Sequence, residues 1–117
     1  MEKIFIAKLV WQIKTISDKT SCDFDEQLRI VRAENKETAF EKAQKFGLQN
    51  QESFLNSMGK NVQWIFVNVE FIKEMISFED GFEICSQTVN VVDAAQYIAE
   101  VNMKSIMNSE VFTNEVI

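Results

Sequence analysis

From Phe5 to Ile13 every odd position is apolar (Phe5, Ala7, Leu9, Trp11, Ile13), while the even positions from Ile4 to Ile16 mix Ile4, Ile6, Val10 and Ile16 with Lys8, Gln12 and Lys14. No other feature constrains the fold as strongly. Side chains of a strand point alternately to its two faces, so this run predicts a long strand with one wholly apolar face. A second long run, Val62 to about Ile76, has Ile65, Val67, Val69, Phe71 and Met75 at odd positions. Its even positions are Trp64, Phe66, Asn68, Glu70, Ile72 and Glu74. Two such strands belong in the middle of a sheet, with their odd faces under a covering layer.

Shorter elements fill in around them. The polar stretch Ser17 to Asp23 is turn-forming, and a strand from Phe24 to Ala33 follows with Phe24, Leu28 and Ile30 on one face. Asn35 caps a helix with Glu37 in its first turn, where the helix dipole favours a carboxylate. Ala39, Phe40, Ala43, Phe46 and Gly47 form its apolar stripe. The helix could stop at Gly47, but the stripe continues through Phe54 and favours a helix to Asn56, with Gly47 allowing close approach to the sheet. Asp80-Gly81 signals a hairpin into a fourth strand, Phe82 to Val91. Asp93 then caps a helix from Ala94 to Met107, and the polar last ten residues read as a frayed end. The expected fold is α+β, β-β-α-β-β-α: a four-stranded antiparallel sheet of order 2-1-3-4. One long helix lies on one face, a C-terminal helix follows, and residues 1–117 form a single domain.

Composition narrows function chiefly by exclusion. The 117 residues include no histidine, which removes the commonest general base and the commonest transition-metal ligand. Neither a Ser-His-Asp triad, a Cys-His dyad nor an HExxH zinc site can form. Residues 1–46 carry nine Lys/Arg and eight Asp/Glu, whereas residues 47–117 carry three and ten, giving the net charge of -6. Such a second half repels phosphate backbones, so no nucleic-acid partner is expected. No apolar run is long enough for a membrane span. Met1 to Lys8 reads as the start of a strand rather than a secretory signal, so the expected location is cytoplasmic. Cys22 and Cys85 lack CxxC spacing and read as free thiols on opposite sheet edges.

Three segments carry a family resemblance: Ala7-Lys8-Leu9, the run Arg32-Ala33-Glu34 leading into an acidic, Ala-containing helix, and Asn56-x-x-Gly59-x-x-Val62-x-Trp64-x-Phe66-Val67. Over roughly residues 4 to 76 the chain resembles the bacterial domain-of-unknown-function family 4288 (DUF4288). Phe54 departs from the family pattern, which has Tyr there. The resemblance implies a bacterial source and supports the fold, and it brings no activity with it.

Two groups of residues are candidates for function. Glu52, Asn56 and Trp64 combine a carboxylate, an amide and an indole that together could recognise a small polar ligand or a peptide end. The structural alternative has Asn56 as a helix cap, Gly59 as a turn, Trp64 packed and Glu52 solvated. The second group is the other sheet face, where Ile4, Ile6, Val10, Trp64, Phe66 and Ile72 form an apolar area broken by charges. An area of that kind needs cover, either from the C-terminal helix or from a second subunit or partner. The carboxylates between Asp18 and Glu26 lack calcium-loop spacing, and no metal or cofactor is expected. The leading expectation is a non-enzymatic protein-interaction or regulatory module, as a homodimer or as a neutralising partner of a basic protein. The competing expectation is a small-molecule sensor or minor enzyme using Glu52 near Trp64.

Overall fold

A computed structural model describes residues 1–15 and 23–115, with side chains as far as Ser109. The chain divides into two compact units, one from Met1 to Cys85 and one beginning at Ser86. The first unit contains β1 (Lys3–Thr15), β2 (Asp23–Ala33), α1 (Lys36–Gln49), β3 (Glu52–Leu55) and β4 (Asn61–Glu74). Its four strands form one antiparallel sheet in the order β2-β1-β4-β3.

The α+β class and the four-stranded antiparallel sheet are as the alternation predicts, and the two long strands, β1 and β4, are central. The edge strand beside β4 is different. It is β3, drawn from the segment expected to continue the helix, and residues 82–91 form no strand. Helix α1 stops at Gln49 because Asn50 ends it: the Asn50 backbone N–H donates to the carbonyls of Phe46 and Gly47, and its Nδ2 donates to Phe46 O at 2.7 Å. The chain then turns back as a hairpin rather than extending to Asn56. β3 takes only the stretch Asn61 to Trp64 of that edge of β4, and residues 82–85 do not pair with the remainder. Ile16, the polar turn as far as Cys22, and the expected edge position of Cys22 lie outside the described residues. Cys85 is a free, exposed thiol in an irregular stretch rather than in an edge strand.

Helix α1 starts as the cap residues predict, with Asn35 Oδ1 accepting from Thr38 N at 2.8 Å. Its buried residues are all small, Ala39, Ala43 and Gly47, so its backbone lies close to the sheet. Beneath it Phe5, Ala7, Leu9 and Trp11 of β1 pack with Ala33, Val69 and Ile72. Burying a side chain the size of Leu or Phe contributes roughly 1.5–3 kcal/mol, so these residues supply much of the driving force for the first unit.

The strand β4 does not keep a strict period of two against β1. Trp11 pairs with Phe66 but Val10 with Asn68, and Leu9 pairs with Val69 but Lys8 with Phe71. Each shift passes over one residue, Val67 and then Glu70. Because paired residues share a face, Trp64, Phe66, Val69 and Ile72 all lie on the α1 side. Asn68 serves the first irregularity, its Oδ1 accepting from Val69 N at 2.8 Å.

The second unit contains α2 (Ala94–Glu115). Asp93 caps it as predicted, with Oδ1 accepting from Gln96 N at 3.1 Å. The helix runs well past Met107 through the polar residues expected to fray. No Gly or Pro interrupts them, and Asn108 Nδ2 donates to Lys104 O one turn back. Among the described residues no helix is long and apolar enough to cross a membrane.

Candidate functional site

The register separates the residues that strand alternation grouped on one surface. Ile4, Ile6 and Val10 remain together on the face of the sheet opposite α1. Trp64, Phe66 and Ile72 are on the α1 face instead, as members of the core or packed against it. Ile65 and Phe71, opposite Gln12 and Lys8, take their places beside β1. On the β2 side the same outer face carries Phe24, Leu28 and Ile30, opposite Gln12, Lys8 and Ile6. Leu28 is 57% exposed and Ile30 68%.

Lys8 stands in the middle of this outer face. Its ammonium lies 2.5 Å from a Glu26 carboxylate oxygen and 2.8 Å from one of Glu70. The hydrogen bond to Glu26, then that to Glu70, raises the Lys8 pKa above its ordinary value, so the lysine stays charged among apolar neighbours. Alternation also places Glu70 on the face of Lys8, and the structure keeps the two together there although the register shifts beside them.

On the α1 side, beyond the C-terminal end of the helix, Glu52 and Trp64 do come together. They are paired residues of β3 and β4 and line a cavity of ≈ 180 Å³ with Trp11, Gln27, Arg29 and Asn50. Asn56 is not part of it. Its Oδ1 accepts from Met58 N at 2.9 Å and Lys60 N at 3.0 Å, and its N–H donates to Lys60 O, which builds the β3–β4 turn. Gly59 completes that turn at φ +76°, a conformation that side chains disfavour. Asn56 is thus structural, though as a hairpin residue and not as a helix cap.

Sequence reasoning missed Trp11, Gln27, Arg29 and Asn50 as members of the cavity, and two of these, Gln27 and Arg29, come from β2. They alternate with outward-facing residues along β2, and their period-two spacing with Asp25 was the available signal. Gln27 Nε2 donates to Asp25 Oδ2, and Gln27 Oε1 accepts from Arg29 Nε and Nη2 at 2.9 and 2.7 Å. The guanidinium also lies over the Phe46 ring, 5.0 Å from its centroid. The Trp11 ring is tilted against Phe66 at 5.6 Å, and its buried Nε1 finds no hydrogen-bond partner among the described residues. No group of three His, Cys, Asp or Glu able to hold a metal occurs among the described residues.

The fold and these two surfaces define a small α+β domain built on an antiparallel sheet with one helix-covered face. Residues 4–86 match the family described as Domain of unknown function (DUF4288), and the chain belongs to that family. The match ends beside the boundary of the first compact unit at Cys85, so the family domain and that unit coincide. No curated protein and no solved structure matches the chain.

Proposed function

We propose that this chain is a non-catalytic, cytoplasmic protein-interaction domain that docks a second copy of itself through the outer face of its sheet. What supports the reading is the exposed apolar row of Phe24, Leu28 and Ile30 alongside Ile4, Ile6 and Val10. Exposed apolar areas of this kind are uncommon on isolated soluble domains and mark interaction surfaces. The charges among these residues are of both signs: Lys8, Lys14, Arg32 and Lys73 with Glu26 and Glu70. A mixed pattern can meet its own copy about a two-fold axis without systematic like-charge opposition, and it favours that partner over a uniformly basic one. The lack of histidine favours a binding role over acid–base catalysis.

Sedimentation equilibrium of the full chain tests this. The wild type is expected to dimerise, and Leu28→Glu with Ile30→Glu to be monomeric with an unchanged circular dichroism spectrum. Both side chains are exposed, so the paired substitution leaves the core intact. A wild type that stays monomeric at high concentration removes the reading.

A further inference from the structure

We propose that the cavity between Trp11 and Trp64 binds a small amino-carboxylate, with Arg29 holding its carboxylate and Glu52 its ammonium group. The site lies on the α1 face and is independent of the outer-face reading above. Four observations converge on it.

Arg29 and Glu52 line the same cavity, and no ion pair joins them or engages either one among the described residues. A guanidinium has five N–H donors, and the hydrogen bonds to Gln27 use only those of Nε and Nη2. Carboxylates match the remaining donors in charge and geometry. Arg29 is also held in place, by Gln27 on one side and the Phe46 ring on another, so little ordering remains to be done on binding.

Trp11 is 2% exposed, lines this cavity, and has an indole N–H without an acceptor among the described residues. A buried unpaired donor is costly, and a ligand oxygen in the cavity would supply what it lacks. The donors therefore ask for an anion, while Glu52 asks for a cation, and one small zwitterion satisfies both. The volume of ≈ 180 Å³ suits a ligand of amino-acid size and not a nucleotide or a peptide chain.

The two tryptophans of the chain both line the cavity, so the protein reports on its own occupancy. The experiment is a titration of the full chain with glycine, acetate and methylammonium, followed by tryptophan fluorescence and by the indole N–H resonances. Glycine is expected to shift the Trp11 indole resonance saturably, with acetate weaker and methylammonium without effect. Arg29→Met should weaken glycine binding roughly tenfold or more, the loss of a charged hydrogen-bonding partner. Glu52→Gln should abolish the preference for glycine over acetate. Both side chains are exposed, and circular dichroism verifies that the variants fold. Indole resonances that do not move with any of the three compounds overturn the proposal. So does a wild type that treats glycine and acetate alike, or binding that Arg29→Met leaves unchanged. None of these outcomes bears on dimerisation, which the outer-face variants test separately.

Discussion

Gly47 of α1 and Phe66 of β4 touch so closely that a Cβ added to the glycine would overlap the phenyl ring. The ring has little room to retreat, because Trp11 lies against it. Two terms compete in Gly47→Ala. Alanine gains about 1 kcal/mol of helix propensity, and overpacking a filled contact costs about 1–3 kcal/mol. The contact involves ring atoms and not the end of a flexible side chain, so overpacking is expected to win. Gly47→Ala should lower the urea midpoint, and the same change in a Phe66→Leu background should be neutral or stabilising. Additive effects in that cycle would show that the two residues are not coupled.

Asn56 holds the β3–β4 turn through two backbone N–H groups. Asn56→Ala removes the oxygen that accepts both hydrogen bonds and should cost about 1–2 kcal/mol, whereas Asn56→Asp keeps an oxygen in place and should cost less. Amide exchange should register the change first in β3, which pairs with β4 through only four residues. An unchanged exchange pattern with Ala at this position would mean that Gly59 and the strand pairing suffice for the turn.

These relationships explain what the sequence could reveal and what it could not. Strand β1 was legible because its odd positions from Phe5 to Ile13 are apolar without exception, and all of Phe5, Ala7, Leu9 and Trp11 are buried. The start of α1 was legible because an Asn cap is a local signal. The end of α1 was not: Glu52 and Phe54 continue a helical spacing, and only pairing with Trp64 and Val62 makes them a strand. The faces of β4 were hidden because Val67 and Glu70 interrupt its register, and alternation carries no record of such a shift. Asn68, a residue depleted in strands, was the one local hint. For the candidate site, Glu52 was expected near Trp64, but as a helix residue and not as its strand partner. Arg29 was not expected there, since the segment holding Glu52 was expected to continue the helix, and only as β3 beside β4 does it complete the cavity that Arg29 lines.

Phe54 stands where the family pattern has Tyr, and its position makes the substitution a mild one. It pairs with Val62 on the α1 face of an edge strand and is 45% exposed. A phenolic hydroxyl at the ring edge can reach solvent without losing packing. Phe54→Tyr should therefore change stability by no more than about 0.5 kcal/mol, as for most partly exposed substitutions. A thermal melt of the variant checks this, and a loss well beyond that value would mean that the ring edge is enclosed by protein.

Lys8 links stability to pH in a direction that can be worked out. Its pKa in the folded protein is raised above the ordinary 10.5 by hydrogen bonds to Glu26 and Glu70. The folded state therefore holds this proton more tightly than the unfolded chain does. The resulting stabilisation is complete below pH 10.5 and is lost as pH rises above that value toward the folded one. Lys8→Met keeps the length of the side chain and removes the charge, leaving Glu26 and Glu70 beside an apolar group. The variant should be less stable than wild type at neutral pH. The difference should shrink as pH rises above 10.5 toward the raised folded value, where the folded protein also gives up the proton. Denaturant midpoints measured for both proteins across that range test the linkage, and Glu26→Gln with Glu70→Gln in the Lys8→Met background should recover the neutral-pH loss. A difference that stays constant with pH would place the effect of Lys8 in the packing of its methylene stem instead of in its charge.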